Sequence, residues 1–208
     1  MALFYLSELK IYLASISPRR KEILRRLGIK FRILKPKISE QKPKLNLTPR
    51  KYARYIARMK VESVKNQIRD GIVIGMDTIV VLGKKILGKP KNRRAAKRMV
   101  TILSGKTHRV ITGIYLLRLP DGKSVKGIEM TKVKFRKLTE SEIERYIKTK
   151  EPYDKAGAYG IQGRAGLFVE SINGCYFNVV GFPIAKFLRL LKQIVGDKPQ
   201  RYNDNLYL

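Results

Sequence analysis

Residues 71 to 83 read GIVIGMDTIVVLG. Isoleucine and valine dominate this run, so it reads as one long strand. Asp77 stands in its middle with apolar residues on both sides. A carboxylate in such surroundings is costly unless it is paired, bound to a metal or placed at a cleft. A strand-end or bulge position, with the acid satisfied by backbone donors, is the plain alternative. Whatever fold the chain adopts must accommodate that charge.

Acids are scarce here, which makes Asp77 more conspicuous. The 208 residues hold 46 Lys and Arg against 16 Asp and Glu, a net charge of +30. Residues 78 to 120 contain no acid at all. A field of that sign concentrates polyanions, whether nucleotides, nucleic acid or anionic lipid. Solvated basic faces would account for the same composition. The length suits a single domain over 1–208, with its core at about 10–195 and residues 197–208 as a C-terminal appendage. No apolar run approaches the roughly 20 residues of a membrane span. The first residues, MALFYLSELK, lack a basic leader and a small-residue cleavage site. A cytoplasmic, soluble protein is expected. Cys175 is the only cysteine and His108 the only histidine, which excludes an intramolecular disulfide and a Cys/His zinc cluster.

Strand and helix signals alternate along the chain. KIYLAS (10–15) reads as a strand, and Ser17-Pro18 as the cap and first residue of a short helix with Ile23, Leu24 and Leu27 on one face. IKFRIL reads as a second strand. Thr48-Pro49 opens a helix running to about Asp70, with Tyr52, Ile56, Met59 and Ser63 on one side. LGKKILGKP reads as a hairpin, and NRRAAKRMVTILSG as a helix. THRVITGIYLLRL and SVKGIEMTKVKFRKL read as strands joined at Asp121-Gly122. Thr139 and Glu142 form a capping box for the next helix, and IAKFLRLLKQIV is the last. Between these two helices lies a stretch rich in glycine and aromatics, with few helix signals. The class is α/β, and paired strands near the middle argue for a mixed sheet.

LASISPRRKEILRRLGIKF (13–31) passes from strand to helix through Ser, Pro, Arg and Arg. Free backbone N–H groups and the helix dipole at such a turn suit a phosphate. Ser15 and Ser17 add hydroxyls, and Arg19 and Arg20 add guanidinium forks. The turn lacks the glycines and the GK[ST] ending of a Walker loop. A capped helix with surface arginines is the alternative. Lys89-Pro90 fixes a lysine after a turn. DKAGAYGIQG carries Asp154, Lys155 and Gln162 among glycines that permit close ligand approach. Lys60, on the polar side of its helix, reads as solvated. Several cations with a few carboxylates suit a metal-assisted polyphosphate site, in which Mg²⁺ or Mn²⁺ takes oxygens from one or two acids and from the phosphates.

Four blocks in order, LASISPRRKEILRRLGIKF, GMDTIVVLGKKILGKP, LSGKTHRVITG, and EPYDKAGAYGIQG with INGCYFNVVGFP, resemble the Maf/septum-formation-inhibitor family of nucleotide pyrophosphatases. The resemblance covers residues 10 to 195. It implies a mixed, elongated sheet with flanking helices and two lobes around a deep cleft, related to inosine triphosphate pyrophosphatases. It also implies a homodimer and a divalent-metal-dependent reaction in which a nucleoside triphosphate and water give the monophosphate and pyrophosphate. Carried over by position, Asp77 matches the catalytic acid, described as proton acceptor, with metal ligation or water orientation as equal alternatives. Ser15, Arg19 and Arg20 match the phosphate-cradling turn, and Lys60, Lys89 and Lys155 match cleft lysines. Glu40 matches an acidic loop position near the metal, and Asp154 the acid before the lysine.

Arg19, Thr78 and Gln162 resemble the dTTP/UTP-preferring subgroup, which implies house-cleaning of the pyrimidine nucleotide pool. An amide such as that of Gln162 offers the donor and acceptor that a pyrimidine imide edge needs. The subgroup that prefers 7-methyl-GTP is disfavoured by Thr78 and Gln162. Departures are Ser39 where many members carry an acid beside Glu40, Met76 in place of a small residue, and Cys175 in place of serine. Two further readings use the same fold: a nucleic-acid-binding protein, which the basic surface would fit, and a cell-division regulator. No recognised nucleic-acid motif supports the first.

Overall fold

A computed structural model describes residues 9–38 and 47–196. Seven strands form one sheet: β1 (Ile11–Leu13), β2 (Phe31–Ile33), β3 (Gly71–Leu82), β4 (Lys85–Leu87), β5 (Thr107–Leu119), β6 (Ser124–Phe135) and β7 (Val169–Asn173). The order is β2-β1-β3-β5-β6-β7, with β4 also paired to β3. β1 runs parallel to β2 and β3, and every other pairing is antiparallel, so the sheet is mixed as expected. Six α-helices accompany it: α1 (Pro18–Arg26), α2 (Pro49–Glu62), α3 (Arg93–Leu103), α4 (Glu140–Ile147), α5 (Tyr176–Val180) and α6 (Ile184–Val195).

The GIVIGMDTIVVL run is the strand on which the sheet is built. β5 covers one edge of β3 from Gly71 to Val81. On the other edge β1 pairs only as far as Ile74, and β4 begins only at Val80. Residues 75 to 79 therefore face a gap in the sheet, and Asp77 lies within it.

Alternation along β3 sends its residues to two faces. On one face, Ile72, Ile74 and Met76 join Ile23 and Leu24 of α1 and Phe187, Leu190 and Leu191 of α6 in one apolar core. Farther along the same face, Val80 joins α3, α4, Phe135 and Phe168 in a second core. Thr78 and its register partner Thr112 lie between the two. The sheet thus carries two separately packed lobes with a polar seam between them. α5 spans that seam, with Val180 in the first core and Val179 packed against the second.

α2 covers the opposite face. Its buried residues are Ala53, Ala57 and Val61, not the Tyr52, Ile56 and Met59 stripe expected from the sequence. The reason lies in the sheet. A Cβ on Gly75 would stand 2.2 Å from the Ala57 carbonyl oxygen, and one on Gly113 would stand 2.4 Å from that of Ala53. Glycines below and alanines above bring backbone against backbone, and Met59 is left exposed. The helix also ends sooner than expected, at Glu62, with a separate 3₁₀ turn at Lys65–Gln67. Ser17 makes no side-chain cap for α1; its backbone N–H instead donates to Ser15 Oγ at 3.2 Å. The capping box of Thr139 and Glu142 forms as expected. The glycine-rich stretch holds three 3₁₀ turns, together with β7 and α5, which its composition did not suggest.

Candidate active site

The gap beside β3 collects the polar groups. The Met76 carbonyl accepts hydrogen bonds from Arg20 Nη1 at 2.9 Å and from Lys60 Nζ at 3.1 Å. Arg20 arrives from α1 on one face of the sheet and Lys60 from α2 on the other. Lys60 Nζ also lies 2.6 Å from Asp77 Oδ1, and both side chains are less than a fifth exposed. Burial pushes the Lys60 ammonium below its ordinary range, Asp77 opposes that shift, and Arg20 and Lys89 add to it. So Lys60, which reads as solvated in sequence, is instead the partner of the largely sheltered Asp77. Its position explains how Asp77 is tolerated in an apolar strand. Tyr52 also stands within the field of Asp77: burial, then that carboxylate, raises its phenol above the usual value.

Arg20 is 7% exposed. Its Nε donates to Gly181 O at 2.9 Å, Nη1 to Ser15 Oγ at 3.2 Å as well as to Met76, and Nη2 to Thr78 Oγ1 at 3.0 Å. A guanidinium has five N–H donors, so these four bonds leave one for a ligand. Burial brings its pKa down to about 10; Asp77 counters that effect and Arg19 reinforces it. It stays charged at neutral pH and ties α1, β3 and the Gly181 turn into one unit.

Arg19, the preceding residue, faces outward. It meets Asp154 at 3.3 Å, and Asp154 also meets Lys155 at 2.5 Å. Lys155 donates to the Glu151 carbonyl at 2.7 Å. Burial acts to raise the Asp154 carboxyl, but Lys155 and Arg19 outweigh it, and the net shift is downward. This bridge joins the first turn of α1 to the 3₁₀ segment of the second lobe, across the seam. Gln162 lies on the exposed turn that follows, whose backbone N–H groups at Arg164 and Ala165 bind the Glu151 carboxylate at 2.8 and 3.3 Å. Among the described residues, no hydrogen bond links Gln162 to Asp77 or Thr78. Lys89 is exposed at the end of the hairpin and close enough to act on the Lys60 charge. Glu40 lies outside the described residues.

Around Thr78 the seam adds Thr112, Thr131 and Asn178, which the sequence analysis does not single out. Thr78 Oγ1 and Thr112 Oγ1 are 2.9 Å apart. Asn178 is fully buried and its Nδ2 donates to Val110 O at 3.0 Å and Thr131 Oγ1 at 2.9 Å; Thr131 in turn donates to Cys175 O at 3.0 Å. The signal was present in sequence: Thr112 interrupts an apolar run much as Asp77 does.

Among the described residues there is no group of three or more His, Cys, Asp or Glu side chains that could hold a metal. Mg²⁺ needs only one or two protein carboxylates when phosphates supply the rest, so Asp77 fits such an ion. Asp154 fits less well, because each of its oxygens already has a cationic partner. Two concavities, of about 550 and 780 Å³, lie elsewhere, the first beside the end of α2 and the second between α3 and α4, and neither is lined by Asp77. No helix among the described residues is long and apolar enough to cross a membrane.

Residues 10–194 match the family described as Maf-like protein. A dTTP/UTP pyrophosphatase of Carboxydothermus hydrogenoformans is 46% identical over 89% of this chain and 98% of that protein. Another, of Alkaliphilus metalliredigens, is 50% identical over 88% of this chain and 94% of its own. A solved nucleoside-triphosphatase / dITP/XTP pyrophosphatase of Mycobacterium abscessus shares 13% identity at a TM-score of 0.37, over 61% of this chain and 73% of that one, a likeness too slight to bear on function.

Proposed function

Since the chain belongs to the Maf-like protein family, we propose that it hydrolyses dTTP and UTP to the monophosphate and pyrophosphate, clearing the pyrimidine triphosphate pool. The observation that carries this reading is the Asp77–Lys60 pair at the gap in the sheet, with Arg20 and Lys89 close enough to act on the Lys60 charge. Cations at that density suit a triphosphate, and one anchored carboxylate suits water activation.

In this mechanism Asp77 accepts the proton of the attacking water. Lys60 holds Oδ1, which fixes the carboxylate and leaves its other oxygen to the water. Attack at the α-phosphorus breaks the bond to the bridging oxygen, and pyrophosphate leaves with that oxygen. Arg19, Lys89, Lys155 and the remaining N–H of Arg20 bind phosphate oxygens as charge shifts toward the leaving group. Ser15 orients Arg20 through its hydroxyl. A divalent cation, Mg²⁺ or Mn²⁺, would supply Lewis-acid polarisation of the phosphate, held by Glu40 and, in the alternative where Asp77 is a ligand and not the proton acceptor, by Asp77. The proposal includes a homodimer and a cytoplasmic location; sedimentation tests the first. Contact with nucleic acid through the basic surface would be secondary to turnover, and steep loss of such binding with salt would mark it.

The test is pyrophosphate release from a panel of nucleoside triphosphates, with and without Mg²⁺ or Mn²⁺. Selective turnover of dTTP and UTP, abolished by Asp77→Asn, is expected. A folded protein that turns over no nucleotide overturns the reading.

A further inference from the structure

We propose that Thr112 is a positioning residue that fixes the direction of the Thr78 hydroxyl, so that Thr78 meets the base as a hydrogen-bond acceptor and selects rings with an N3–H. The inference rests on the pyrimidine reading above.

Asp77 and Thr78 are consecutive in β3, so their side chains leave opposite faces of the sheet. Asp77 takes the face of Lys60 and α2. Thr78 takes the seam, half-buried, as a neutral group beside the Arg20 guanidinium. Phosphates account for the cations; a neutral hydroxyl suits a base edge.

The proton positions follow from what each partner is able to do. Arg20 Nη2 only donates, so Thr78 Oγ1 accepts from it at 3.0 Å. Thr112 Oγ1 lies 2.9 Å from Thr78 Oγ1 and 3.5 Å from the Asn178 carbonyl, which only accepts. The 2.9 Å contact is open to either donor, and the proposed arrangement assigns the Thr112 proton to Asn178 O and the Thr78 proton to Thr112. That carbonyl is the backbone oxygen of Asn178, which also accepts from the Gly181 N–H at 3.0 Å, while the Asn178 side chain is anchored to Val110 and Thr131. With its proton directed inward, Thr78 has one lone pair left for a ligand. Thymine and uracil carry a hydrogen on N3 and satisfy that lone pair. Cytosine presents a lone pair at N3 and meets it with repulsion. A site built to hydrogen-bond its substrate rejects the mismatched analogue far more strongly than an apolar pocket does.

The experiment compares kcat/KM for UTP and CTP in the wild type, Thr112→Val and Thr112→Ser. A ratio is read because it is unaffected by the fraction of protein that folds. Thr112→Val frees the Thr78 proton to turn outward, and the UTP preference is expected to fall about tenfold or more; Thr112→Ser keeps the wild-type ratio. N3-methyl-UTP against UTP on the wild type gives the same test without a mutation, and poor turnover of the methylated base is expected. UTP turnover with an unchanged ratio in Thr112→Val, or equal turnover of N3-methyl-UTP, overturns this inference alone. Absence of both dTTP and UTP turnover in the wild type overturns the function on which it rests.

Discussion

Lys60 Nζ bonds both Asp77 Oδ1, at 2.6 Å, and the carbonyl of the preceding residue, Met76, at 3.1 Å. One ammonium thus fixes the acid and the strand that carries it. Lys60→Met should reduce pyrophosphate release by roughly 10²-fold, comparable to losing a positioned proton acceptor. In a denaturant double-mutant cycle with Asp77→Asn, the pair should show a coupling of about 1–3 kcal/mol. Additive effects would mean that the contact does not matter to the fold.

Gly113 supports this pair from a distance. A Cβ there would meet backbone atoms of Ala53 and Arg54 at 2.4–2.5 Å, and backbone cannot rotate away. Gly113→Ala should lower stability by about 1–3 kcal/mol. It should also reduce turnover in the protein that remains folded, because α2 carries Lys60. Gly88→Ala, which meets nothing within 4 Å, should change stability by less than about 0.5 kcal/mol. Urea titration of both variants tests the contrast.

Gly75 and Gly113, the glycines beneath α2, show where the sequence is legible and where it is not. Asp77, the strand around it, the capping box at Thr139 and the mixed sheet all follow from local signals. The buried face of α2 does not, because alanine is apolar enough for a core only when a glycine lies opposite it, and that pairing is a fact of tertiary structure. Lys60 reads as solvated from its helix face alone for the same reason: its partner is 17 residues away in sequence. Arg20 was read as a ligand group, while four of its five N–H groups bind protein acceptors that no local pattern reveals. Gln162 was placed by resemblance, and the turn that carries it is organised around Glu151.

His108 should give the protein an acid-sensitive stability. It is 1% exposed, with its ring perpendicular to Phe135 at 5.0 Å and its Nε2 2.7 Å from the Tyr159 hydroxyl. Burial lowers its pKa from 6.5 to about 4, against a smaller opposing effect from the Lys106 backbone. Between those values the unfolded chain binds a proton that the folded one does not. Stability is therefore whole above about pH 6.5 and declines as the pH falls toward 4, by up to about 3 kcal/mol. His108→Phe should flatten that limb while lowering stability at pH 7, since Tyr159 loses its partner. Urea midpoints at pH 7 and pH 4.5 would show both effects.

The Arg19–Asp154 bridge is exposed enough, at 29% and 56%, that Asp154→Asn should alter stability by no more than about 0.5 kcal/mol. Its effect should appear in binding. With Arg19 released to the phosphates, KM for the triphosphate should fall severalfold. The metal concentration giving half-maximal rate should stay unchanged, because Asp154 is occupied by cations rather than by the metal. A raised metal requirement would instead place Asp154 among the ligands.

The polar seam has a consequence for descent as well as for chemistry. Each lobe closes its own apolar core, and the two meet through hydroxyls and amides. A lineage is thus free to exchange side chains in one lobe without re-fitting the other. Changes inside either core can then be inherited separately, held in a common frame by the strand that the two lobes share.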